Sequence, residues 1–92
     1  DKWIKTILLE RTRVIDAINI LPICKKTYPT NANFVLAEMD NAQDIYDYLV
    51  KKGVIVRNRN RVTMCSNCLR ISIGTKSENN ELLAALRQYQ IS

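Results

Sequence analysis

Histidine is absent from this 92-residue chain, and glycine and proline occur only twice each. Without histidine, no side chain with an ordinary pKa near neutrality is on hand as a general base, and the commonest nitrogen ligand for a metal is missing. The scarcity of glycine leaves no glycine-rich phosphate loop, and neither a nucleophile–base constellation nor a sited pair of carboxylates is evident. Taken alone, the chain does not read as a complete enzyme. No apolar run approaches the ~18–20 residues of a membrane span, so a membrane partner is not expected. The start lacks the basic segment and apolar core of a signal peptide, and the cysteines (Cys24, Cys65 and Cys68) are odd in number. Together these set the expectation of free thiols in a reducing, cytoplasmic compartment. The chain opens at Asp1 rather than methionine, which sets the expectation of a piece excised from a longer protein.

What is present fits one small globular domain over residues 1–92: 47% apolar and 25% charged residues, with a core of modest size. The net charge of +5 is concentrated. Residues 51–70 hold six basic side chains and no acidic one, directly after Asp40, Asp44 and Asp47. A cationic patch of this kind suits a small anion, a phosphate backbone or a carboxylate.

Ile4, Ile7, Leu8, Arg11, Ile15 and Ile18 recur at helical spacing, predicting a leading helix within residues 1–20 that ends before Leu21-Pro22. Residues 23–27 read as a short strand and Tyr28-Pro29-Thr30-Asn31 as a turn. Residues 33–39 read as a strand mostly buried on both faces. Asp40, with Gln43, caps a second helix that buries Ala42, Ile45 and Leu49; Lys51 and Lys52 fall in its last turn and Gly53 stops it. Residues 54–57 form the next strand, followed by an arginine-rich loop. Residues 68–73 alternate, with Leu69, Ile71 and Ile73 on one side and Cys68, Arg70 and Ser72 on the other. Thr75 with Glu78 opens a last helix on Leu82, Leu83 and Leu86. The expected fold is α+β: a small antiparallel or mixed sheet with helices on one face, in the order α-β-β-α-β-β-α. Its βαββα core spans residues 33–92. Strands 33–39 and 54–57 are expected to run parallel with the third strand between them, a split βαβ.

The Cys65-x-x-Cys68 pair admits metal or redox chemistry. A structural zinc site needs four ligands, however, and a redox pair usually opens a helix. Two free thiols near a strand start is the simpler reading, and no metal is expected. Arg57, Arg59 and Arg61 alternate with asparagines. They suit either a solvated loop or a nucleic-acid-binding module, though the strands lack the aromatic platform that base stacking needs. Arg70 stands within a strand. A guanidinium on a rigid element suits bidentate recognition of a carboxylate, with a solvent-facing residue or an interdomain salt bridge as the plainer alternative.

The segments YPTNANFVL, KKGVIVRNRN and CLRISIGTKSENNELLAAL resemble the C-terminal small domain of the histidinol-phosphate aminotransferases, fold-type-I enzymes that depend on pyridoxal phosphate. The resemblance runs over nearly the whole chain and is strongest at residues 29–36, 53–58 and 67–86. It implies that Arg70 binds the substrate α-carboxylate, that Arg57 lines the pocket at the phosphate end, and that Asn33 supports the site. Arg59 and Arg61 lie outside the motif. The resemblance further implies a parent enzyme that exchanges an amino group between L-histidinol phosphate and 2-oxoglutarate, giving imidazole acetol phosphate and glutamate, within histidine biosynthesis. Pyridoxal phosphate would be bound by a large domain of the same chain, and the parent would be a homodimer without a nucleic-acid partner. The Schiff-base lysine segment of the family, its aspartate for the pyridine nitrogen and its phosphate cup have no match here, so this segment alone should be inactive. Ser72 stands where threonine is common. Aromatic amino-acid transaminases and threonine-phosphate decarboxylase have similar small domains, and a small-ligand regulatory domain shares the topology.

Overall fold

The computed structural model describes residues 2–31, 33–54 and 62–91. The described elements run α1 (Lys2–Asn19), β1 (Cys24–Asn31), β2 (Phe34–Met39), α2 (Ala42–Lys51), β3 (Val62–Cys65), β4 (Cys68–Ser72) and α3 (Lys76–Ile91). The strands form one sheet in the order β1-β2-β4-β3, and each adjacent pair is antiparallel. Because β2 and β3 both oppose β4, they run parallel to each other with β4 between them. The connection through α2 therefore makes a split βαβ unit, as expected.

The strand that completes this unit differs from the expected one. Val54 is helical and only 3% exposed, and residues 55–57 lie outside the described residues. The partner of β4 is instead β3, within the stretch expected to be loop. Val62 and Met64 pair with Ile71 and Leu69, which brings two apolar side chains to the core. A four-residue strand is too short for its alternation to stand out beside three arginines.

The turn expected at Tyr28–Asn31 is also displaced. β1 continues to Asn31, with Pro29 opposite Val35 and a break in register beside it. β1 is an edge strand, where the missing proline N–H costs no ladder bond if it faces outward.

The helices cover one side of the sheet. Val14 and Ile18 of α1, Ile45 and Leu49 of α2, and Leu82, Leu83 and Leu86 of α3 share one buried cluster with Ala37, Met39, Val62, Leu69 and Ile71. Each fully buried Leu or Ile side chain contributes about 1.5–3 kcal/mol of transfer free energy. β2 shows why one face dominates: Val35, Ala37 and Met39 are buried, whereas Phe34, Leu36 and Glu38 are half-buried. The expectation of burial on both faces is corrected accordingly.

On α1 the inward stripe runs through Glu10, Val14 and Ile18, while Leu8 and Leu9 are exposed. The core-facing side is thus rotated from the expected one, which had placed Leu8 inward. α2 is capped by Asn41 rather than Asp40 and has no side-chain cap bond. Gln43 donates to Asp47 at 2.9 Å instead of reaching back to the cap. Its core side chains are the expected ones, Ala42, Ile45 and Leu49. Gly53, at φ 80°, ends it in the left-handed region that glycine enters without penalty. At α3 the expected reciprocal cap is present. The Thr75 amide donates to Glu78 Oε1 at 2.9 Å, and the Glu78 amide donates to Thr75 Oγ1 at 3.2 Å. The Tyr89 hydroxyl donates to Asp44 at 2.6 Å and its ring meets Tyr48 edge-on at 5.2 Å, fastening α3 to α2. The hydrogen bond to Asp44 is the main cause that holds the Tyr89 pKa above its ordinary value.

Candidate functional site

Strand alternation sends Leu69 and Ile71 into the core, both fully buried, and leaves Arg70 exposed on the opposite side. Arg70 stands directly opposite Leu36 of β2 and Thr63 of β3, so it occupies the middle of the face that the helices do not cover. Its guanidinium carbon lies 4.0 Å from the centroid of the Phe34 ring. At that distance the guanidinium is within cation–π range of the ring, and among the described residues its N–H donors remain for a further partner. Among the described residues Arg70 forms no ion pair. The carboxylate of Glu38 on the same face is engaged by the Tyr28 hydroxyl at 3.3 Å. Desolvation, followed by the Glu38 charge, pushes the Tyr28 hydroxyl pKa up. The arrangement is a strand-borne cation on an open face, which suits an anionic group.

Asn33 lies in the turn between β1 and β2 and is exposed. Its carbonyl accepts the Ile73 amide at 2.7 Å, which anchors the turn just beyond the end of β4. It borders a cavity of about 400 Å³ shared with Thr6, Ile7, Gly74 and Lys76. Arg57, Arg59 and Arg61 lie outside the described residues. Cys65 and Cys68 sit at the far end of the β3–β4 hairpin, both as free thiols. Among the described residues no group of three or more His, Cys, Asp or Glu side chains could hold a metal ion, and no described helix is long and apolar enough to cross a membrane.

One polar group of evident structural importance was not singled out from the sequence. Asn79, in the first turns of α3, is fully buried. Its Oδ1 accepts the Gly74 amide at 2.9 Å, and its Nδ2 donates to the Gly74 carbonyl and to Glu10 Oε1, each at 3.0 Å. Glu10 is 9% exposed and also receives two hydrogen bonds from Arg13, at 2.6 and 3.2 Å. Those bonds, then the one from Asn79, hold the Glu10 carboxyl below its ordinary pKa against the opposing effect of burial. The network locks the segment after β4 onto both α1 and α3, and so fixes the strand that carries Arg70. A glutamate in register with Val14 and Ile18, on the inward side of α1, was the available signal.

The sequence profile of the class I and II aminotransferases matches residues 3–86. The histidinol-phosphate aminotransferase of Bacteroides fragilis is 47% identical over 90 residues, which are 98% of this chain and 26% of that protein. That of Flavobacterium psychrophilum is 40% identical over 84 residues, covering 91% and 24%. The crystal structure of the histidinol-phosphate aminotransferase from Clostridium acetobutylicum superposes with a TM-score of 0.76 at 25% identity, over 95% of this chain and 27% of that one. The chain spans about a quarter of the length of the curated relatives it matches. The profile match over 3–86, the relatives and the shared architecture place this chain in the class I and II aminotransferase family.

Proposed function

We propose that this chain is the substrate-clamping small domain of a pyridoxal-phosphate-dependent histidinol-phosphate aminotransferase. The observation that carries the reading is Arg70, exposed at the centre of the uncovered face and without an ion-pair partner among the described residues. In this reading Arg70 takes the α-carboxylate of glutamate and 2-oxoglutarate. L-Histidinol phosphate has no carboxylate; its phosphate monoester extends from the same carbon, so the same cation meets an anion in both half-reactions. Arg57 lines the phosphate end and Asn33 supports the pocket wall. Fixing the anionic group orients the bond to hydrogen at the amino-bearing carbon.

Pyridoxal phosphate supplies the electron sink for that carbon when bound. The described residues do not fit it: they offer no glycine-rich phosphate cradle, and Lys26, on the same face, lies over the Tyr28 ring at 4.9 Å, two strands from Arg70. The cofactor belongs with a large domain of the same chain, which forms the opposite wall. The assembled enzyme is a cytoplasmic homodimer in this reading.

The test is amino transfer to 2-oxoglutarate by the full-length chain, comparing L-histidinol phosphate with phenylalanine and tyrosine. A pocket built to pair with a phosphate rejects donors that lack it by orders of magnitude. A preference of at least about a hundredfold in kcat/KM is expected for the phosphorylated donor, and Arg57→Ala should reduce it more than it reduces turnover of glutamate. Equal or better use of the aromatic amino acids would move the chain to the aromatic branch.

A further inference from the structure

The β3–β4 hairpin has a two-residue turn, Ser66-Asn67, and its closing pair is Cys65 opposite Cys68. Directly opposed residues of an antiparallel pair put their side chains on the same face, with Cα atoms about 4.5–5.5 Å apart. A disulfide needs about 4.4–6.8 Å between Cα atoms, so the register alone brings this pair within range. The turn is well fixed. Ser66 takes the left-handed conformation at φ 61°, and the Asn67 carbonyl accepts the Met39 amide at 3.1 Å, tying the turn to β2. Cys65 is exposed and Cys68 is half-buried. Burial, then the charges of Glu38 and Cys65, push the Cys68 thiol pKa up. The two sulfurs are therefore unequal in access. Neither cysteine opens a helix, so this is unlike a pair activated by a helix N-terminus. What the geometry supplies is proximity across a closed turn.

We infer that Cys65 and Cys68 form a thiol-modification site that closes to an intrachain disulfide on reaction with a low-molecular-weight disulfide. The exposed Cys65, as thiolate, attacks one sulfur of the small disulfide. That S–S bond breaks, and one small thiolate leaves and takes up a proton. Cys68 then gives up its proton and attacks the Cys65 sulfur, and the second small thiolate departs. Two protein thiols are oxidised and one small disulfide is reduced to two thiols. The site stands independently of the proposed substrate chemistry.

Trypsin cuts after Arg61 and Arg70, so one peptide, residues 62–70, carries both cysteines and Cys24 falls in another. The full-length chain is treated with oxidised glutathione, blocked with N-ethylmaleimide, digested and weighed by mass spectrometry. Before oxidation the peptide should carry two maleimides. Afterwards it should carry none, have lost two hydrogens and retain no glutathione, and dithiothreitol should restore both labelling sites. Cys24→Ser should behave the same way, and Cys68→Ser should stop at a glutathione adduct on Cys65. The inference is overturned if the oxidised peptide still takes two maleimides, keeps glutathione, or is linked to Cys24.

Discussion

Arg70 and Phe34 meet diagonally across β4 and β2: the guanidinium carbon sits 4.0 Å from the ring centroid, while Arg70 itself stands opposite Leu36 and Phe34 opposite Ser72. The ring therefore supports the cation from a neighbouring row of the same face. An exposed cation–π contact contributes about 0.5–1 kcal/mol.

Phe34→Leu keeps an apolar side chain at that position and removes the aromatic face. In the full-length enzyme the Michaelis constant for glutamate should rise about two- to fivefold, the equivalent of that contact energy, with kcat little changed. Steady-state kinetics at saturating phosphorylated partner checks this. An unaltered constant would show that the ring does not hold the guanidinium in place.

Asn79 is fully buried and uses both ends of its amide on Gly74 and Glu10. Asn79→Ala removes the side-chain partner of the Gly74 amide and carbonyl, while Glu10 keeps its bonds from Arg13, and each polar group left stranded away from water costs about 1–3 kcal/mol. The Gly74 amide should exchange with deuterium far faster in this variant, and the thermal midpoint should fall. Unchanged protection at Gly74 would contradict the assigned bond.

Glu10 has its pKa lowered in the folded protein, first by the hydrogen bonds from Arg13 and then by that from Asn79. A depressed carboxyl stabilises the fold at pH values above its ordinary value of about 4.3, and that contribution fades as pH falls through the lower folded value. Glu10→Gln should therefore be less stable than the native chain near neutrality, and the difference should shrink as the pH is lowered below about 4.3. Chemical unfolding from pH 6 to pH 3 measures it. Parallel pH profiles for the two proteins would show that the Glu10 carboxylate does not stabilise the fold.

The elements whose sequence pattern is local were legible in advance. Leu69 and Ile71 alternate with Arg70 over enough residues to separate the faces of β4, and the Thr75–Glu78 pair announced the start of α3. The order of elements and the split βαβ arrangement followed from these, and so did the position of Arg70 on the uncovered side. What was not legible depends on neighbours distant in sequence. β3 is a strand because Val62 and Met64 meet Ile71 and Leu69, and β1 runs through Pro29 because it lies at the sheet edge. Glu10 is accommodated inside because Asn79, 69 residues away, and Arg13 satisfy it. The leading helix shows the same limit: an apolar count favours a stripe through Leu8, but a salt-bridged glutamate can turn a helix toward its partners.

The proposed role of the guanidinium at position 70 is to clamp the anionic group of the substrate. Its most direct test is kcat/KM for glutamate and for L-histidinol phosphate in full-length Arg70→Lys and Arg70→Ala variants, checked for retained fold by circular dichroism. Loss of a charge-assisted bidentate contact predicts a fall on the order of 10²–10⁴ with Arg70→Ala for both substrates, only partly recovered in Arg70→Lys, whose ammonium cannot form the fork. Near-native turnover by a folded Arg70→Ala enzyme would contradict it.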